Sequence, residues 1–349
     1  MSDTMKPVDP QVMQRIVLAR RPQGFPVAQD FRLEETGMPR PAAGEVLVQA
    51  TYMSLDPYMR GRMDYVKSYT APQELNHTMG AGGVGRVITS RDPKFSKDDL
   101  VFGMFGWASH GCLPGRQLRK LDPALPPSTA LGVLGMPGFT AWAGLEVHGR
   151  MKPGETLVVA AATGPVGSMV GQLAKQAGLR VVGVAGGPEK CAMAVDTFGF
   201  DACIDHRAHN SVLDMMEALH RECPDGVDIY FENVGGHVLG GVLPVMNTHG
   251  RIIICGMIAW YSGESCETGD MALQKLWRIA LVKRLTVQGL LQTDHVGRFG
   301  EFLTKVAPPV TSGEIAYLED IAEGLENAPE AFFAMLKGGN KGKQIVRIA

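Results

Sequence analysis

Residues 156–171 read TLVVAAATGPVGSMVG: a short apolar run, a glycine-bearing turn, then residues at helical spacing. Residues 156–161 have the length of a buried strand rather than of a helix. Beyond the turn, Val166, Met169, Val170, Leu173, Ala174 and Ala177 recur at i, i+3, i+4 and i+7, the stripe of a helix that buries one face. The turn sets Gly164, Pro165, Val166 and Gly167 where strand gives way to helix. Glycine there lets the backbone approach a pyrophosphate, whose charge is stabilised by the unpaired amides of the helix start. The dinucleotide fingerprint opens with Gly where this chain has Ala162, so the flanking strand and helix carry the reading. The alternative is a tight turn whose glycines serve packing alone.

Outward from this unit the alternation continues. Apolar runs at 180–185, 227–231 and 251–255 are separated by helical patterns such as 212–221 and 238–246. Near-continuous apolar strands alternating with helices indicate an α/β fold with a doubly wound parallel sheet covered on both faces. Upstream, to about residue 121, the chain holds short β-like runs at 15–18, 45–52, 83–89, 100–102 and 117–121, divided by Gly and Pro, which predict a small, mostly antiparallel β domain. Beyond residue 300 the pattern is mixed, with a candidate helix near 321–336 and a terminal strand at 344–348.

The strand tips carry the chemistry. An NAD-specific fold places Asp or Glu at the end of the second strand, about 20 residues after the glycines, to bind the ribose hydroxyls. This chain has Gly186-Gly187-Pro188-Glu189-Lys190 there. With no carboxylate at the tip and Lys190 just beyond, the pocket is expected to accept a 2′-phosphate, so NADP(H) is favoured over NAD, the alternative being that Glu189 turns inward. The alternative for Lys190 is an ordinary solvated lysine. Glu232-Asn233-Val234-Gly235-Gly236 and Cys255-Gly256-Met257 end two further strands and are expected to face the nicotinamide half of the cofactor.

Composition excludes other classes. The chain has 349 residues, enough for two domains, and 34 Lys plus Arg against 36 Asp plus Glu, which disfavours a nucleic-acid partner. No apolar stretch reaches the roughly 18 residues of a membrane span, and residues 1–10 lead into no apolar signal, so a cytoplasmic protein with no membrane partner is expected. Six scattered cysteines without a C-x-x-C pair, Cys266 among them, fit reduced thiols rather than disulfides or a four-cysteine zinc lobe.

Several stretches resemble the zinc-free branch of the medium-chain dehydrogenase/reductases, the branch of prostaglandin, leukotriene and curcumin reductases. They are Ser54-Leu55-Asp56-Pro57-Tyr58-Met59-Arg60-Gly61-Arg62, Leu134-Gly135-Met136-Pro137-Gly138-Phe139-Thr140-Ala141, the turn 161–167, the tip 232–236 and the terminal 336–343. The resemblance implies a GroES-like β-barrel domain built from both chain ends, 1–130 and 311–349, with a Rossmann domain, 131–310, inserted. It further implies a homodimer. In that family Gly164 to Gly167 would hold the pyrophosphate and Lys190 the 2′-phosphate. Asn233, Cys255, Gly256, Met257, Ile258, Tyr261, Leu290, Leu291, Gln292 and Asn340 would line the rest of the cofactor. Several relatives have Tyr where His206 stands; His206 still offers a hydrogen bond and Arg207 beside it a charge.

The activity expected is NADPH-dependent reduction of the C=C bond of α,β-unsaturated ketones or aldehydes, with a small enone as substrate. Quinone reduction and catalytically idle NADPH binding are the alternatives. Hydride transfer requires stabilisation of the negative charge that develops on the acceptor. Cys112 has no partner at ligand spacing, and His77, His110, His206 and His209 read as isolated loop residues, so no metal is expected. Hydrogen-bond donors must then meet the charge, and Tyr58, Tyr69 and Tyr261 are the candidates. Arg60 and Arg62 are expected to pair with carboxylates as structural residues.

Overall fold

The computed structural model describes residues 12–261 and 270–348; Cys266 and the opening residues 1–10 lie outside them. Two units emerge, one from residues 1–131, 321–339 and 344–349, the other from 132–320 and 340–343.

The first unit begins with β1 (Val12–Leu18) and β2 (Phe31–Gly37), an antiparallel pair. There follow β3 (Glu45–Ser54), α1 (Tyr58–Arg62), β4 (Gly83–Ser90), β5 (Leu100–Gly103), β6 (His110–Pro114) and β7 (Arg119–Lys120). Two expectations change here. The run 117–121 yields only the two-residue β7, because Gly115–Gln117 closes a helical turn. His110, expected in a loop, lies in β6, which pairs with β3.

The second unit contains α2 (Met136–Ala143), β8 (Thr156–Ala160), α3 (Pro165–Gln176), β9 (Arg180–Ala185), α4 (Pro188–Asp196), β10 (Ala202–Asp205), α5 (Val212–Glu222), β11 (Val227–Glu232), α6 (Gly236–Val245), β12 (Met246–Ile254), α7 (Asp270–Lys283), β13 (Thr286–Gly289) and α8 (Phe299–Ser312). Its strands pair in parallel in the order β10-β9-β8-β11-β12-β13. This is the doubly wound Rossmann order, with its reversal between β8 and β11. Val158, Val182, Val184, Tyr230 and Ile252 form its buried core. Segment 314–316 stays with this unit because Gln172 of α3 donates to the Ala316 carbonyl and accepts from its amide (2.9 and 2.7 Å).

The chain then returns as β14 (Glu319–Glu323), α9 (Ala328–Leu336) and β15 (Lys343–Arg347), which extend the first unit's sheet to β14-β15-β3-β4-β5-β7, with β6 branching from β3. The helix expected over 321–336 is therefore corrected. Ile321, Ala322 and Glu323 belong to a strand, Gly324 breaks the chain with φ +83°, and the helix starts only at Ala328. Phe332 of α9 meets Trp107 edge-on at 5.6 Å, and Trp107 stacks on Phe31 at 5.3 Å. Burial of each such ring contributes about 1.5–3 kcal/mol, which ties the chain's end into the first unit's core. Among the described residues no helix is long and apolar enough to cross a membrane.

Candidate cofactor site

The turn after β8 is shaped by close approach. Ala161 adopts φ +53°, rare for a residue with a side chain, and its carbonyl accepts from the Gly164 amide at 2.9 Å. A Cβ on Gly167 would stand 2.2 Å from that same carbonyl, so only glycine lets α3 start so near the strand end. Pro165 opens the helix and no side chain caps it. The first-turn amides of Val166 and Gly167 therefore point out of the carboxyl edge of the sheet, a setting that favours an anion. Gly171, one turn on, lies against the Phe200 ring.

At the reversal point, Asn233 Nδ2 donates to the Ala160 carbonyl at 2.8 Å, which bridges the tips of β11 and β8. Glu232 beneath it is 2 % exposed, and its Oε1 accepts the amides of Val234 and Gly235 at 2.5 and 2.9 Å. Burial pushes its carboxyl upward against the downward pull of those amides. The Glu232 carbonyl in turn accepts from Cys255 and Gly256 at 2.9 and 3.1 Å, and burial raises the Cys255 thiol to about 12. Ile258 donates to the Asn233 carbonyl at 3.3 Å, and Met257 donates its amide to the Tyr261 hydroxyl at 3.3 Å. That hydroxyl stands over Gly256, where a Cβ would meet it at 3.3 Å. Leu290, buried, donates to the Ile254 carbonyl at 2.9 Å; Leu291 and Gln292 follow at the end of β13. One row of strand tips thus gathers these residues.

The opposite end of the row is cationic. Gly187 has φ +94° and opens α4, whose first turn holds Lys190. A Cβ on Gly186 would lie 3.0 Å from both His206 Nε2 and Arg207 Nε, so the imidazole and the guanidinium converge on the β9 tip. Burial, then Arg207, holds the half-buried Lys190 ammonium below its ordinary range, and Lys341 adds to the repulsion while Asp320 and Glu189 oppose it. Asn340 donates to the Gly342 carbonyl at 2.7 Å, and its neighbour Lys341 pairs with Glu189.

The expectation that no carboxylate stands near this tip is corrected in one respect. Asp205, at the end of β10, accepts from the Gly187 and Arg207 amides at 2.7 and 2.9 Å. Burial raises its carboxyl, but those amide bonds prevail and hold it below the usual range. Its oxygens are thus engaged in shaping the loop. Asp205, Lys341 and His237 escaped the sequence reading as site residues, because their approach arises from the pairing of β10 with β9 and from segments distant in the chain, whereas Arg207 was read as a charge beside His206. The polar run 205–209 was the available signal.

The remaining predicted residues belong to the first unit. Tyr58 of α1 packs against the core of that unit, and burial, then Asp56, pushes its phenol well above the ordinary range. Tyr69 is 64 % exposed on the loop after α1. Arg60 pairs with Asp64 at 2.9 Å as expected, whereas Arg62 donates to the Ala71 carbonyl at 3.2 Å, a partner without charge. Among the described residues no three His, Cys, Asp or Glu side chains stand together as metal ligands.

Residues 14–121 match the family described as the N-terminal domain of oxidoreductase, and residues 165–307 the family described as zinc-binding dehydrogenase. The NADPH-dependent curcumin reductase of Escherichia coli (strain K12) is 48 % identical over 337 residues, 96 % of each chain. The chain belongs to the medium-chain dehydrogenase/reductase family. Another member, the NADP(+)-dependent 2-alkenal reductase of Nicotiana tabacum, is 39 % identical over 96 % of this chain and 97 % of its own. The crystal structure of CurA from Vibrio vulnificus in complex with NADPH superposes with a TM-score of 0.91 at 46 % identity, covering 96 % of this chain and 99 % of that one.

Proposed function

We propose that this medium-chain dehydrogenase/reductase is an NADPH-dependent reductase of the C=C bond in α,β-unsaturated ketones and aldehydes, working without a metal. The convergence of His206 and Arg207 on Gly186, with Lys190 near enough to Arg207 to feel its charge, carries the cofactor assignment, because three donors near a strand tip without a free carboxylate suit a phosphate dianion. The uncapped start of α3 suits the pyrophosphate. The reductase activities by which the curcumin and 2-alkenal enzymes are named support the acceptor class.

Bound NADPH supplies a hydride for the β-carbon of the enone, and the protein's task is to meet the negative charge that gathers on the carbonyl oxygen. The Tyr261 hydroxyl accepts from the Met257 amide and Tyr69 is 64 % exposed; we assign these two phenols as donors. Tyr58 contributes its ring and the shape of α1. Five free cysteines among the described residues fit a cytoplasmic setting. We take the working form to be a homodimer, since β13 ends its sheet with all four residues exposed and α7 beside it exposes Trp277, Leu281 and Val282 at 66 %, 78 % and 61 %.

The test is anaerobic turnover of NADPH with a 2-alkenal, a curcumin-like dienone and a quinone, after dialysis against EDTA, with products identified by mass. Saturated carbonyl products without bound zinc support the reading. Activity lost to EDTA and restored by zinc, or turnover of the quinone alone, overturns it.

A further inference from the structure

His237 is the second residue of α6 and follows Gly235 and Gly236, whose φ values of +85° and +60° turn the chain sharply. Its ring lies 5.8 Å from that of His206, with planes 50° apart. Its Nε2 is buried and has no hydrogen-bond partner. Such an orphan is costly, and native proteins retain one where function demands it. His206 Nε2 also lies 3.0 Å from where a Gly186 Cβ would stand. His206 thus adjoins both Gly186 and His237.

We propose that His237 is a positioning residue of the 2′-phosphate subsite, acting through His206 to set the pH range over which that subsite strengthens. The proposal rests on the NADPH reading above. The charged groups facing His206 are Asp205 and Arg207 on its own loop, the imidazole of His237 faces it from α6, and Lys190 from α4 adjoins Arg207. Burial, then His237, then Arg207, hold the His206 imidazole below its ordinary range, with Asp205 opposing them. It is therefore neutral at neutral pH. A phosphate dianion beside Gly186 favours the protonated ring, so binding takes up a proton. The sign follows: affinity is flat at high pH and rises as pH falls through the midpoint of His206 in the complex. A second imidazole at 5.8 Å disfavours charge on His206 and keeps that midpoint low.

The test is calorimetric binding of adenosine 2′,5′-bisphosphate and of 5′-AMP to the full chain between about pH 8 and pH 6.5, above the roughly pH 6 protonation of the phosphate itself. The bisphosphate should bind up to about tenfold tighter at the acid end, the scale of one charge-assisted hydrogen bond, and 5′-AMP should not respond. His206→Phe should abolish the rise. His237→Phe, which keeps the ring and removes both nitrogens, should move the rise to higher pH, and His237→Gln provides a second variant if the first does not fold. A flat wild-type profile, or superimposed profiles for wild type and the His237 variants, overturns this inference alone. Failure of the bisphosphate to bind at any pH overturns the NADPH reading itself.

Discussion

Replacing Lys190 by alanine removes one cation from a cluster and leaves the others in place. Lys190 is half-buried in the first turn of α4, with Arg207 and Lys341 near enough to depress its ammonium and Asp320 and Glu189 to support it. An ammonium–phosphate contact is a charge-assisted hydrogen bond worth about 1.5–3 kcal/mol, or roughly tenfold to a hundredfold in affinity. Two features of the site argue for the lower end. Arg207 and His206 still face Gly186 in the variant, and solvent reaches a half-buried lysine and screens it. Lys190→Ala should therefore weaken NADPH by about tenfold, leave NADH nearly unchanged, and flatten part of the salt dependence of NADPH binding. Fluorescence titration with both nucleotides at low and moderate salt measures all three quantities. Parallel weakening of NADPH and NADH would refute the reasoning, since it would mean that Lys190 supports the loop and not the phosphate. Equal affinity of the wild type for both nucleotides would refute the strand-tip argument as a whole.

Tyr261→Phe and Tyr69→Phe should each lower kcat by about tenfold or more, with the Kd for NADPH little changed, because only a hydroxyl that meets developing charge is lost; full turnover in both variants would move proton donation to water or the cofactor ribose. Val287→Lys, on the exposed edge of β13, should convert a homodimer to monomer in light scattering, and an unchanged mass in this variant and in Leu281→Asp would place the subunit interface elsewhere.

Much of the fold was legible in particular residues. The run 156–171 specifies a strand, a tight turn and an amphipathic helix by local spacing alone, and β8 and α3 occupy that stretch. The run 180–185 likewise coincides with β9 (Arg180–Ala185). Buried parallel strands write themselves as apolar runs because both faces are covered. The strands that escaped notice lack that signature. β13 has four exposed residues, β10 mixes Ala202, Cys203 and Asp205, and β14 carries Glu319, Asp320 and Glu323. Edge and near-edge strands are held by partners distant in the chain, so no local periodicity announces them.

The site divides along the same line. Sequence by itself determined that glycines stand at the strand-to-helix turns and that Gly186 and Gly187, not an acid, directly follow the β9 tip with Lys190 three residues further on, since these are facts of adjacency. Only the tertiary structure decided that Asp205 reaches across to the Gly187 amide, that Arg207 and His206 converge on Gly186, and that His237, with an unpaired nitrogen, packs beside His206. These approaches join residues 18 to 31 positions apart, and they exist because parallel pairing places β10 beside β9 and packs α6 against α5. Side-chain chemistry is written along the chain; which side chains share a charge is set by strand order.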